Sequence, residues 1–180
     1  MTCPAPSGDA AGPDCRLADV IAHELAVVFC GINPGLRAAA CGQHFAGRGN
    51  RFWKVLHLAG FTPRQLEPEA GRTLLDYRCG LTTAVGRPTA RAAELSPGEL
   101  LAARLPLQQK IVTYRPENIA FLGKPAYAAI CNRRALSWGI QDAHFGGARV
   151  WLLPNPSGLN RSFSLERLVA AYRALQQAIT

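Results

Sequence analysis

Short, nearly continuous apolar runs alternate with stretches of helical periodicity along this chain. Ala26 to Ile32, Asn118 to Leu122 and Arg149 to Leu153 carry almost no polar positions. That is the pattern of strands covered on both faces of a parallel sheet. Gly80 to Val85 is a fourth strand candidate. Between them, Asn50 is placed to cap a helix that reaches Leu58 and is stopped by Gly60. Ser96-Pro97-Gly98-Glu99 combines a capping box with proline in the first turn. It predicts a helix towards Tyr114, broken near Pro106 and ended by Arg115-Pro116. Lys124-Pro125 opens a short helix through about Ile130. From Ser164 onward, Leu165, Leu168, Val169, Tyr172, Leu175 and Ile179 recur at helical spacing. This alternation predicts a three-layer α/β/α domain around a short, mostly parallel central sheet. One domain is expected over residues 18 to 180, preceded by a flexible tail at residues 1 to 17.

Two of the apolar runs end in loops of unusual composition. The first strand gives way to Cys30-Gly31-Ile32-Asn33-Pro34-Gly35. The last leads into Pro154-Asn155-Pro156-Ser157-Gly158-Leu159-Asn160-Arg161. Ligands of open α/β sheets bind at the carboxyl ends of the strands. Two stiff loops hanging from such ends, each with an asparagine, predict one site built from both.

Charge narrows the partners. The net charge is +8, and of the basic residues only Lys54, Lys110 and Lys124 are lysines. An arginine-rich basic surface suits phosphate, which the guanidinium matches bidentately, although genome base composition accounts for such a bias equally well. The cysteines, Cys3, Cys15, Cys30, Cys41, Cys79 and Cys131, form no CxxC pair and fit no zinc or iron–sulfur spacing. No apolar signal segment and no stretch of membrane-spanning length is visible, so a cytoplasmic protein with reduced thiols is expected.

Several chemistries are excluded by their missing motifs. The Gly31–Gly35 turn carries Asn33 where a dinucleotide fingerprint needs glycine, and Gly123-Lys124 lacks the other elements of a P-loop. Ser157 has no GxSxG setting. His23, His44, His57 and His144 share no ligand spacing. Asn33 cannot act as a general base, but it can orient a water. That suits a dissociative reaction such as N-glycosidic cleavage, where the sugar becomes cationic and the base leaves as an anion. The same asparagine could equally cap its turn. Phe45, in the Gly-rich segment Cys41 to Asn50, is either a stacking surface for a planar base or a core contact. Leu159 is an apolar tip between Gly158 and Asn160, with Arg161 beyond. It reads as a wedge for a base step or as a packed loop residue. Arg161 reads as a phosphate contact or a solvated charge.

Taken together, these segments resemble the mismatch-specific uracil-DNA glycosylases, bacterial relatives of thymine-DNA glycosylase. Val28-Phe29-Cys30-Gly31-Ile32-Asn33-Pro34-Gly35 looks like the first active-site motif, and Leu153-Pro154-Asn155-Pro156-Ser157-Gly158-Leu159 like the second. Asn50-Arg51-Phe52-Trp53-Lys54, Leu74-Leu75-Asp76-Tyr77-Arg78-Cys79-Gly80 and Arg87-Pro88-Thr89 look like family segments between them. Ala38 and Thr83 stand where some relatives carry serine and lysine.

The resemblance implies a uracil-DNA glycosylase-like fold and a monofunctional enzyme needing no metal or redox cofactor. Uracil opposite guanine in double-stranded DNA, and related lesions such as 3,N4-ethenocytosine, would be flipped and excised. Asn33 would position the water. Ile32 would meet the base through its backbone, Phe45 would stack on it, and Asn155 would line the pocket. Gly158, Leu159 and Asn160 would enter the duplex and contact the widowed guanine, with Arg161 in support. The expected partners are G·U or abasic duplexes and downstream abasic-site processing enzymes, with no membrane, and the protein is expected to act as a monomer. A non-catalytic lesion binder is the competing reading from another class, and a small-molecule hydrolase a weaker one.

Overall fold

The computed structural model describes residues 17–134 and 136–180. The expected tail therefore lies outside the described residues except for Leu17, as do Cys3 and Cys15. Five strands form one sheet: β1 (Val27–Gly31), β2 (Cys79–Thr83), β3 (Asn118–Leu122), β4 (Gly139–Phe145) and β5 (Ala148–Leu153). Their order is β2-β1-β3-β5-β4, parallel except for the antiparallel pairing of β4 with β5. The helices are α1 (Leu36–Cys41), α2 (Phe52–Ala59), α3 (Pro97–Ala102), α4 (Arg104–Tyr114), α5 (Lys124–Cys131) and α6 (Leu165–Ile179). They flank the sheet with two 3-10 segments, Pro68–Tyr77 and Ala92–Glu94.

The sheet separates two apolar cores, which is why its central strands are apolar at every position. Val27 and Phe29 of β1 face α2 and α6 with Ala120, Leu122, Trp151 and Leu153. Cys30 faces α4 and α5 with Ile119, Phe121, Val150 and Leu152. Phe29 sits in an aromatic cage of Phe52, Phe61 and Tyr172, with ring centroids 5.6, 5.3 and 6.1 Å away. Burial pushes the Cys30 thiol up to about 12, so it behaves as a small apolar group. At the amino ends of the strands, the buried Asn118 donates to the Ala26 carbonyl (2.9 Å) and accepts from Trp151 Nε1 (3.3 Å), linking β1, β3 and β5.

Some boundaries differ from the sequence reading, each for a physical reason. The helix expected to break near Pro106 instead breaks at Ala103, between α3 and α4. Pro106 then falls in the first turn of α4, where its missing N–H costs no hydrogen bond. The fourth candidate strand leaves the sheet after Thr83, although Ala84 and Val85 still donate to the Gly31 and Ile32 carbonyls, both at 2.9 Å. Asn50 Oδ1 accepts from the Phe52 N–H (3.0 Å), while Arg51 occupies the formal N-cap position of α2. The β4 edge strand, α1 and the 3-10 segment Pro68–Tyr77 were not anticipated. β4 is alternately exposed along most of its length, so it lacks the continuous apolar run of its neighbours. Among the described residues, no helix is long and apolar enough to cross a membrane.

Gly146 and Gly147 join β4 to β5, both with positive φ (59° and 93°). A Cβ on Gly146 would stand 2.9 Å from Ile111 Cβ, whereas one on Gly147 would meet open space. Gly147→Ala should destabilise by about 1 kcal/mol from conformation alone. Gly146→Ala should cost about 2–4 kcal/mol, because overlap adds to the same conformational cost. Equilibrium denaturation of the two variants checks that order.

Candidate active site

The carboxyl ends of β1, β2, β3 and β5 open into a cavity of about 560 Å³. Ile32, Asn33, Phe45, Asn155, Gly158 and Leu159 all line it. Two loops separated by more than a hundred residues thus form one site. Asn160 and Arg161 lie outside the lining. Arg161 is exposed.

Asn33 follows β1 by two residues, just beyond the rigid Phe29 cage. Its Nδ2 donates to the Arg87 carbonyl (2.8 Å) and contacts Thr89 Oγ1 (2.7 Å). The Arg87 carbonyl can only accept, so the amide's orientation is determined chemically. The Pro34 carbonyl accepts from the Thr89 N–H (3.1 Å), and Gly35 forms an isolated bridge with Thr89. Thr89 is itself buried. Both amide protons are thereby engaged, while Oδ1 has no hydrogen-bond donor among the described residues. It is an oriented acceptor, able to hold a water.

Phe45 forms an aromatic wall of the cavity. Its ring lies 3.9 Å from that of Phe52, inclined by 21°, and its edge approaches Gly31. It has φ of +57°, an uncommon conformation for an aromatic residue, held by this packing. Ile32 lines the cavity, and its carbonyl accepts from the Val85 N–H. Ala38 and Thr83 also line the cavity, so the two departures noted in the sequence fall on its surface.

The second loop braces itself. Asn155 Oδ1 accepts from the Ser157 N–H (2.9 Å). The Asn155 carbonyl accepts from Asn160 Nδ2 (2.8 Å), and Asn160 Oδ1 accepts from the Ser162 N–H (3.3 Å). Asn160 is therefore a strut in this structure, its amide engaged on both sides. Gly158 lies against Gly49: a Cβ there would stand 2.8 Å from the Gly49 carbonyl oxygen. Between these supports Leu159 projects, 73% exposed.

Among the described residues no carboxylate lines the cavity, whereas Arg37, Arg48 and Arg91 do. Arg87 is instead paired with Glu99 (2.6 Å), and that pairing, with hydrogen bonds from Ser96, lowers the Glu99 carboxyl to about 2. His44 also lines the cavity, but its Nε2 meets the Ala18 carbonyl at 2.9 Å and burial lowers its pKa, keeping the ring neutral at pH 7. Among the described residues, no group of three or more His, Cys, Asp or Glu side chains could hold a metal ion. The arrangement offers an oriented water acceptor, an aromatic wall and a cationic rim.

These features coincide with a family signature. The profile of the Uracil DNA glycosylase superfamily matches residues 18–176, a span that includes both loops. The chain belongs to this superfamily. Membership supports a DNA glycosylase activity, hydrolysis of a base–sugar bond in DNA. Its fold is also similar to the solution NMR structure of "a putative Uracil DNA glycosylase from Methanosarcina acetivorans". That match has a TM-score of 0.57 and 20% identity, and covers 89% of this chain and 97% of that one. At such identity the likeness is one of fold.

Sequence reasoning assigned no role to Thr89 or Arg51. Both stood inside family-like segments, but their contacts cross 56 and more than a hundred residues. Thr89→Val should lower the cleavage rate about tenfold or more by loosening the Asn33 amide. Thr89→Ser should keep most of it, and duplex affinity should change little in either. Single-turnover rates and binding titrations check this.

Proposed function

We propose that the protein is a monofunctional, mismatch-specific glycosylase that flips and excises uracil opposite guanine in double-stranded DNA. The observation that carries the reading is the Asn33 amide, held by Arg87 and Thr89 with Oδ1 uncommitted, in a cavity that no carboxylate of the described residues lines. Such a site cannot deprotonate a nucleophile strongly. It suits a reaction in which bond breaking runs ahead of water attack.

Duplex DNA binds through phosphate contacts on the arginine-bearing rim. A wobble-paired uracil is cheaper to extract than a correctly paired base, which contributes to selectivity. The base enters beside Ile32, Phe45 and Asn155, and Leu159 fills the gap it leaves. Backbone groups of Gly158–Asn160 face the widowed guanine, with Arg161 positioned for the sugar–phosphate backbone. The bond from C1′ to the base breaks and its electron pair leaves with uracil. The water held by Asn33 Oδ1 then bonds to C1′ and its proton passes, directly or through solvent, to the uracil anion, giving free uracil and an abasic site. The arginines at the cavity lower the cost of the anionic leaving base. Other small lesions, including 3,N4-ethenocytosine, fit the same permissive pocket. The chain works as a monomer without metal or redox cofactor, and abasic-site processing enzymes consume its product.

End-labelled duplexes holding one G·U, A·U or G·T pair, incubated with the protein and treated with alkali, test this. Scission should be greatest at G·U. Asn33→Ala should lose about a hundredfold or more of the rate while duplex binding holds. Equal loss of both would remove the catalytic role of Asn33. Tight binding without scission by the wild-type protein would favour a lesion binder. Affinity should fall by about 0.9 log units per log unit of salt for each phosphate contact.

A further inference from the structure

Arg51 makes an unusual set of contacts with one loop. Its backbone N–H donates to the Pro156 carbonyl (3.0 Å), and Nε reaches the same oxygen at 3.4 Å. Nη1 donates to the Phe163 carbonyl (2.7 Å). Nη2 donates to the carbonyls of Ser157 (3.1 Å) and Asn160 (2.9 Å). The guanidinium therefore holds the wedge loop on both sides of Leu159. Ser157 and Asn160, which flank Gly158 and Leu159, share one nitrogen.

The position of this arginine is informative. It stands at the amino end of α2, where the helix dipole disfavours a cation. No carboxylate lies within ion-pair distance of it among the described residues. Four carbonyl oxygens supply the compensating negative ends of their dipoles instead. A planar fork with five N–H donors can serve such a set, whereas the single ammonium of lysine cannot span it. The neighbouring residue, Phe52, carries the Phe45 stack. Wedge and base platform are thus referenced to the same two residues at the start of one helix.

We propose that Arg51 is a positioning residue that presets the Leu159 wedge for entry into the duplex. This rests on the reading of Leu159 as a wedge. Arg51 touches no substrate. It orders the loop before DNA arrives, so that binding does not bear the entropy of ordering it.

A double-mutant cycle tests the assignment, with affinity for a duplex carrying an abasic site opposite guanine as the readout. Arg51→Lys and Leu159→Ala should each weaken binding by about tenfold, and the double variant should be scarcely weaker than Leu159→Ala alone, since both changes remove one wedge. A purely structural loss at Arg51 would multiply with the loss of Leu159. A double variant weakened about a hundredfold therefore overturns the proposal, as does a silent Arg51→Lys. Failure of the underlying wedge reading shows separately, as a silent Leu159→Ala, and removes the Arg51 role with it. If Arg51→Lys is too unstable by thermal melting, Arg51→Gln carries the same cycle with the same deciding outcomes. Amide hydrogen exchange provides a second readout. Arg51→Lys should raise exchange at residues 157–163 while leaving β1 and β3 protected, and uniform loss of protection would mark Arg51 as a general stabiliser.

Discussion

The active site depends on how one side-chain amide is held. Asn33 commits Nδ2 to the 87–89 segment, and this leaves Oδ1 as an uncommitted acceptor. The arrangement works because its base does not move. Asn33 lies two residues beyond the end of β1, whose Phe29 and Cys30 are locked in opposite cores. An amide has no useful titration, so its contribution must come from placement, and placement must come from packing. The two hydrogen bonds bring little net stability, about 1 kcal/mol each. Their value is orientational, because an amide free to rotate would present a donor as often as an acceptor.

The opposite wall follows a different physical logic. The loop after β5 is anchored by the buried Pro154 and Pro156, but its tip is solvent-facing and carries an exposed leucine that no core packing holds. Polar links within and across the loop take that place. Asn155 and Asn160 brace it internally, Gly158 presses on Gly49, and Arg51 collects four of its carbonyls. An apolar tip exposed to water is unfavourable for the free protein, yet 73% of Leu159 remains exposed. A loop built to display such a residue is consistent with a partner that buries it.

The legibility of each feature depended on the range of its cause. The apolar runs of β1, β3 and β5 were readable because double burial imposes a local pattern. β4 was not, because an edge strand such as Gly139–Phe145 can keep Gln141, Asp142 and His144. Ser96 and Glu99 marked a helix start correctly, but Pro106 misled, since proline is as comfortable in a first turn as at a break. In the site, Asn33 and Leu159 were visible from their turns. Thr89 and Arg51 were not, because a hydrogen bond across 56 or 109 residues leaves no periodicity. Asn160 shows the converse problem. The amide that could read a guanine is equally suited to bracing a turn, and here it braces one.

The rigidity of the wedge loop has a consequence for turnover in the proposed reaction. Preordering lowers the cost of entering a duplex, but does so equally for substrate and for abasic product. Only contacts that strengthen during bond breaking raise the rate of chemistry. Those belong to Asn33 and the pocket arginines, not to Leu159. Once uracil departs, the base contacts vanish while the wedge and its guanine contacts persist. If Arg51 presets the wedge as proposed, the same fork that aids flipping would also oppose release, and product dissociation would then be the slow step. A protein arranged in this way shields the abasic site until another enzyme takes it.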